Sequence, residues 1–413
     1  MPTLIERLDK MGIKKGSQIG KKEKSQIDQS LEELLHADAI HNQFGRVLKV
    51  ENFYPFGHRH GNVVFHGKNQ SEVMKEVGKV KNKSEDLNDL VFLDTETTGL
   101  SGGTGTLAFL IGMAVFEQNG LRLIQFLIEE PTDEQAMLLE FSNFFSDQTT
   151  IVSFNGKSFD IPLLKTRFIL NKMPITFSDC AHLDLLHVSR KIWRNRLESR
   201  SLKDLEQEII EIPRSNDEIP GWMIPEVYFN YLRTGDSSQL AGVIYHNGMD
   251  ILSLVALYLI ISSLLENEIY SERIHAMDAY SLGKIFQDIG QLEKSTSLFQ
   301  YCLKNKLSNQ VVSIDARSRL AANYKKIKMW DKAVQYWNEN ADAGDMFSCL
   351  ELAKYFEHIC RDYQQALHWT MKAFEQLDRT DLSRYKKKVY QSEFIYRQNR
   401  LKKRIIYVQP ENS

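Results

Sequence analysis

The sequence predicts an α/β domain, a mixed sheet flanked by helices, followed by an all-α domain of helical repeats. Three observations predict it. Short apolar runs alternate with helical spacing between about residues 88 and 268, strand signals stop near residue 275, and a small-to-aromatic pattern then recurs. The 413 residues suffice for two or three domains, and 42% apolar with 26% charged residues is ordinary for a globular chain. Disorder throughout, collagen and a disulfide scaffold are excluded.

Residues 1–87 read as an N-terminal extension and linker. A lysine cluster (Lys14, Lys15, Lys21, Lys22, Lys24) precedes the helical stretch SLEELLHADAI. The run VENFYPFGHRHGNVVFHG carries His58, His60 and His66, which admit a metal site or a hairpin with exposed polar positions. The polar stretch 72–89 reads as linker.

In residues 88–268, LVFL before Asp94 is a buried strand, and TLAFLIGMAVF and LRLIQFLIEE form a hairpin across Gln118-Asn119-Gly120. EQAMLLEFSNFF is helical, TTIVSF a strand, and IPLLKTRFIL a helix with Pro162 tolerated in its first turn. Helices over LDLLHVSRKIW, SLKDLEQEI and MDILSLVALYLIISSLL complete the domain. The apolar run Ile251–Leu265 is short for a membrane span, which needs ~20 residues, so a buried helix and no membrane are expected.

In residues 275–380, Gly283 and Phe286, Ala321 and Tyr324, and Ala353 and Phe356 each set a small residue three before an aromatic. Nine residues after each aromatic stands Ser295, Ala333 and, one position late, Ala366; four further on stand Phe299, Trp337 and Thr370. Such offsets let antiparallel helices approach closely, and the unit resembles a tetratricopeptide repeat. A non-repetitive bundle is the alternative. Residues 381–413 form a basic aromatic tail: it either grips phosphates and stacks on bases, or docks its aromatics on the last repeat.

Charge is unevenly spread. Counted on the sequence, residues 1–90 carry +2, residues 91–262 carry −9 and residues 263–413 carry +5. An acidic centre points to carboxylate chemistry and basic flanks to polyanions. Cys180, Cys302, Cys349 and Cys360 form no CxxC pair, which fits a reducing cytoplasm. The N-terminus lacks the apolar core of a signal peptide.

Asp94 and Glu96 in LDTETTGL leave a strand two residues apart, so both point to one face. Carboxylates forced together repel unless a cation sits between them, and Mg²⁺ takes few carboxylates plus waters and phosphate oxygens. Asp160 stands where a strand hands over to a helix, and His246 and Asp250 lie four apart on one helix face. The Gly-rich SGGTGT lacks the Lys of a phosphate loop and reads as a turn beside the site. His182 with Asp184 reads as a weak ligand pair or as helix-start polarity.

These motifs resemble the DEDD superfamily of 3′–5′ exonucleases, which has a ribonuclease-H-like fold. Asp94 and Glu96 match its first motif, Asn155, Phe159 and Asp160 its second, and His246 and Asp250 its third. With tetratricopeptide-like repeats behind that domain, the arrangement resembles the YprB-type proteins. One departure stands out: the family shows Tyr three residues clear of the Asp, or His four, and here Tyr245 and His246 have exchanged places. The i, i+4 spacing to Asp250 favours His246 as base. The resemblance implies hydrolysis of DNA or RNA with two Mg²⁺ or Mn²⁺ ions held by Asp94, Glu96, Asp160 and Asp250. It implies a nucleic-acid partner, single-stranded or at 3′ ends, met by Asn155 and Phe159. A basic cluster of Arg190, Lys191, Arg194 and Arg196 offers phosphate contacts or an ordinary solvated face. The alternative function is a catalytically inactive module that binds nucleic acid or protein and recruits partners through the repeats.

Overall fold

The computed structural model describes residues 30–67, 72–80, 86–99, 104–212, 219–266, 274–305 and 309–408. The lysine cluster and Ser101–Gly103 of the Gly-rich stretch lie outside the described residues. The chain divides into two compact units, residues 1–267 and 268–413.

The first unit is built on a seven-stranded sheet. Its strands are β1 (Asp38–Asn42), β2 (Gly45–Pro55), β5 (Leu90–Thr97), β6 (Ala108–Glu117), β7 (Gly120–Leu127), β8 (Thr150–Ser153) and β9 (Ala181–Asp184). A separate hairpin pairs β3 (Arg59–His60) with β4 (Val63–Val64). The sheet order is β1-β2-β7-β6-β5-β8-β9. Strands β5, β8 and β9 run parallel, and the remaining pairings are antiparallel. β6 is buried along nearly its whole length, as an apolar run covered on both faces must be.

Helices cover both faces. On one lie α3 (Glu134–Ser142), α4 (Asp160–Leu170) and α7 (Ile224–Thr234). There Phe141, Phe168 and Phe177 pack edge to face or tilted, and Phe109 of β6 stacks on Tyr228 at 4.0 Å between centroids. On the other lies α8 (Leu240–Glu266), long and apolar enough to cross a membrane by length and composition. Its apolar residues are instead spent inside the unit: Ile251, Val255, Leu257, Ile261 and Leu265 are fully buried, and Tyr258 meets Phe92 of β5. α2 (Glu72–Gly78), α5 (Leu185–Trp193) and the one-turn α6 (Leu202–Leu205) pack on α8's side.

Two expectations change. The stretch expected as an extension adds α1 (Leu31–Leu35), β1 and β2 to the unit, because Val47, Leu48 and Val50 are apolar enough to bury in the core where β2 pairs with β7 and meets α3. The stretch expected as linker holds α2, anchored by buried Met74 and Val77. The three histidines sit at a hairpin, but His60 is buried rather than exposed and meets Ser253 Oγ of α8 at 3.0 Å.

The second unit is all helical: α9 (Ala276–Asp288), α10 (Leu292–Lys304), α11 (Gln310–Lys326), α12 (Trp330–Asp342), α13 (Met346–Tyr355), α14 (Tyr363–Gln376) and α15 (Arg384–Val408). Each packs on the next. Ser295, Ala321, Ala333, Ala353 and Ala366 are fully buried, and a Cβ on Gly283 would come within 2.8 Å of the Phe299 ring. The one-residue slip before Ala366 has a cause. α13 runs into a π-helical turn at Phe356–Cys360, which absorbs an extra residue before Arg361 closes it at φ 58°.

Candidate active site

The acids arrive from three elements. β5 is buried through Leu93, and from Asp94 onward it emerges half-buried at the rim of the sheet. Asp160 opens α4 after a tight turn from β8. His246 and Asp250 lie one turn apart on α8, with His246 Nε2 3.5 Å from Asp250 Oδ2. Burial, then Glu96, Asp160 and Asp250 in turn, hold the Asp94 carboxyl well above its ordinary range; the Asn247 amide pulls the other way. Burial, then Asp250 and Asp160, do the same to Glu96. Burial pushes Asp160 up to about 6, opposed by the Thr95 hydroxyl, which donates to Asp160 Oδ1 at 2.5 Å. Asp94 and Glu96 are thus each raised by burial and by both Asp160 and Asp250.

A polar network holds Asp94. Asp94, Gly112 and Gln125 stand opposite one another across β5, β6 and β7. Asn247 of α8 lies over the glycine. Its amide nitrogen donates to Asp94 Oδ2 at 2.9 Å, and its oxygen accepts from Gln125 Nε2 at 2.9 Å. Gln125 Nε2 also donates to the Ile244 carbonyl at 2.7 Å. A Cβ at position 112 would overlap the Asn247 amide oxygen and the Ile251 methyl, so only glycine admits this packing.

A second network holds the turn into α4. Asp184, buried at the end of β9, accepts from Asn155 N at 2.8 Å and Lys157 N at 3.1 Å, and caps α5 through Leu186 N. Asn155 takes φ 66°, and a Cβ on Gly156 would overlap Ser153. Asp184 is thus the helix-start residue, and His182 pairs with Ser153 Oγ at 2.7 Å.

Other expected residues are placed as follows. Phe159 is exposed beside Asp160. Asn155 and Arg190 line one cleft of about 530 Å³ with Phe154, Leu186, Ser199 and Arg200. Arg194 and Arg196 are exposed at the end of α5. Lys191 Nζ donates to the Val77 carbonyl at 3.0 Å, tying α5 to α2. Tyr245 projects to solvent while His246 is buried, which separates the exchanged pair. Sequence reasoning missed Thr95, Gly112, Gln125, Gly156 and Asn247. The available signal was polarity out of place: Gln125 inside LRLIQFLIEE and Asn247 inside an apolar helix.

The donors are all carboxylate oxygens, which suits a hard divalent cation that keeps waters. Among the described residues, no three His, Cys, Asp or Glu side chains close into a ready-made coordination shell. Two site oxygens, Asp94 Oδ2 and Asp160 Oδ1, accept hydrogen bonds from Asn247 and Thr95.

The RNase_H superfamily model RNase_H_2 matches residues 91–262, the segment that carries all four acids. The Bacillus subtilis (strain 168) protein "Uncharacterized protein YprB" is 32% identical over 341 residues, 79% of each chain. The chain belongs to the YprB family and carries an RNase_H superfamily domain. Membership of the YprB family extends the likeness well beyond the sheet. The RNase_H superfamily suggests nuclease activity on nucleic acid. Asp94 and Glu96 lie at the exit of β5, Asp160 at the start of α4 and Asp250 within α8.

Proposed function

We propose that the protein is a metal-dependent 3′–5′ exonuclease of the DEDD type, acting on DNA or RNA. One observation supports the reading: beyond burial itself, Asp160 and Asp250, from the second and third motifs, raise the carboxyl pKa values of Asp94 and Glu96 from the first, and His246 Nε2 lies 3.5 Å from Asp250 Oδ2. Bound Mg²⁺ or Mn²⁺ ions, two in this reading, would supply Lewis acidity, an acidified water and charge for the leaving 3′ oxygen. The chain's own residues do the rest. The carboxylates hold the cations, Asn247 and Thr95 fix the carboxylates, and His246 takes the proton from the attacking water. Its burial on the Asp250 face, with Tyr245 turned outward, supports that role.

Substrate contacts follow. Arg190 and Asn155 share a cleft beside the turn into α4 and offer charge and a hydrogen bond to a phosphate. Phe159, 53% exposed, and Trp222, 67% exposed, border the site; Trp222 follows Gly221, whose Cβ position lies 3.8 Å from His246 Nε2. Both rings are placed for unpaired bases. The helical unit is read as tetratricopeptide-like repeats that hold a protein partner.

The test is a panel of 3′- and 5′-labelled single- and double-stranded DNA and RNA with Mn²⁺. Stepwise shortening from the 3′ end, abolished in Asp94→Ala and Asp160→Ala, is expected. His246→Ala should slow cleavage ~10²–10⁴-fold, and Tyr245→Phe should not. Cleavage of a circular single strand would replace the exonuclease with an endonuclease; no product from any substrate would leave the binding module.

A further inference from the structure

Helix α15 carries nine Lys or Arg residues and one acid, Glu393, between Arg384 and Val408. Some of that charge serves the fold. Arg397 and Arg400 grip the wholly buried Glu357 at 2.7 and 2.6 Å, and Lys387 donates to the Asp378 carbonyl. Arg384, Lys386, Lys388, Lys402 and Lys403 are exposed. The helix docks through buried Phe394 and Leu401, with Phe394 edge-on to Phe374 of α14.

The tyrosines divide in the same way. Tyr390 packs against Phe347 of α13 and Phe394. Tyr385 and Tyr396 stay 77% and 68% exposed. They are eleven residues apart, three turns and ~20° at 3.6 residues per turn, so they share a face ~16 Å apart. Lys403 continues that face two turns on. Beside it, a groove of about 790 Å³ runs between α15 and Phe347 and Lys354 of α13; Glu393 also lines it.

We propose that this face of α15 and its groove bind single-stranded nucleic acid, a second contact beyond the nuclease site. Cations along one helix meet phosphates, and large exposed aromatic faces set among them stack on bases of any sequence. An acidic peptide would use the charges and leave the two tyrosines idle. A membrane surface would call for one continuous apolar stripe, whereas among the described residues Val389 is the one exposed aliphatic residue on the tyrosine face, and exposed Ile395 and Ile406 lie ~80–100° round the helix from Tyr396.

The inference extends the nuclease reading but is tested apart from it, by binding without added metal. The full chain is titrated into a fluorescein-labelled oligothymidylate or oligouridylate of about 20 nucleotides, followed by anisotropy, at about 50–200 mM salt. In the Lys386→Gln, Lys388→Gln, Lys402→Gln, Lys403→Gln variant, the slope of log affinity against log salt should flatten by ~0.7 for each phosphate no longer neutralised. Tyr385→Ala with Tyr396→Ala should weaken binding ~10–100-fold with the slope kept, and the matching Phe pair should restore it. Wild-type affinity and slope in both variants would overturn the proposal. So would unchanged oligonucleotide binding together with loss of wild-type retention on phosphatidylserine vesicles. Failure of the nuclease reading shows elsewhere, as no product with Mn²⁺, and leaves these titrations intact.

Discussion

Both units bury acids, and two of the sites treat them in opposite ways. In the helical unit Glu357 is fully enclosed, and two guanidinium groups from α15 neutralise it. In the sheet unit Asp94, Glu96 and Asp160 crowd together, and neutral groups hold two of them: the Asn247 amide on Asp94 and the Thr95 hydroxyl on Asp160. The first arrangement is charge compensated within the fold. The second leaves carboxyls raised by burial and by one another, a cost that a bound cation would relieve in the proposed reading. Glu134 of the sheet unit, buried against Arg167, follows the Glu357 pattern, so the contrast lies between sites and not between units.

The largest effect should follow from neutralising the crowded site. Asp94→Asn should cost ~10³-fold or more in cleavage, because metal-ion stabilisation of the transition state is worth several kcal/mol. Without metal the same variant should be more stable than wild type by ~1–2 kcal/mol, since one of the repelling charges is gone. Added Mn²⁺ should raise the wild-type melting temperature, by ~2.7 kcal/mol of stability at a hundredfold excess over Kd, and leave the variant's unmoved. A variant less stable than wild type in calorimetry would break the contrast.

Glu357→Gln should act in the other direction. It leaves two partly exposed guanidinium groups without their counter-charge and should cost ~1–3 kcal/mol in denaturant unfolding, less than breaking a fully buried pair. A small effect there would mean that the two acids differ less than their surroundings indicate.

How much of this was legible follows the same division. The acids, the central strand and the long apolar helix could be read because strand period, helix period and charge are local properties. Asp94 and Glu96 share a face for that reason, and His246 reaches Asp250 for the same reason. The partners of those acids could not be read. Gly112 and Gln125 matter only because β6 and β7 bring them level with Asp94, a register set by pairing across the sheet. The strand β9, four residues long, was missed, since AHLD carries no alternation to mark it. The contribution of β2 was missed too, because its place between β1 and β7 follows from pairing and not from its own sequence. The late position of Ala366 was visible, but its cause, a π-helical turn, was not.

Asn247→Ala should give a middling effect that sharpens the contrast. Asn247 touches Asp94 and acts through it, so it is a positioning residue. Removing it should cost ~10–100-fold in metal affinity or kcat, as loss of an outer hydrogen bond to a metal ligand does, with KM for the oligonucleotide little changed. Equal losses in KM and kcat, or unaltered Mn²⁺ titration, would reassign it to general packing. Gly112→Ala should reproduce the defect by pushing Asn247 off the same row.

The smallest effect concerns acid, and it separates burial of a neutral base from burial of crowded acids within the sheet unit. His60 is buried against Ser253, and burial first, then His58, lowers its pKa to about 4. In the unfolded chain it takes a proton near 6.5. Between those values the unfolded state binds a proton that the folded state refuses, so the stability His60 contributes is complete above pH 6.5 and is lost as pH falls toward 4. His182, likewise lowered to about 4 by burial and then Lys157, runs the same way. The crowded carboxylates run oppositely: their raised pKa values make the metal-free fold gain stability over the same descent. The wild-type curve is the sum of the two, so the informative quantity is a difference. Going from pH 7 to pH 5, wild type should lose on the order of 1–2 kcal/mol more than His60→Gln in chemical denaturation. Parallel pH profiles for the two proteins would mean that the imidazole reaches water in the folded state, and that the β3–β4 hairpin opens before the sheet does.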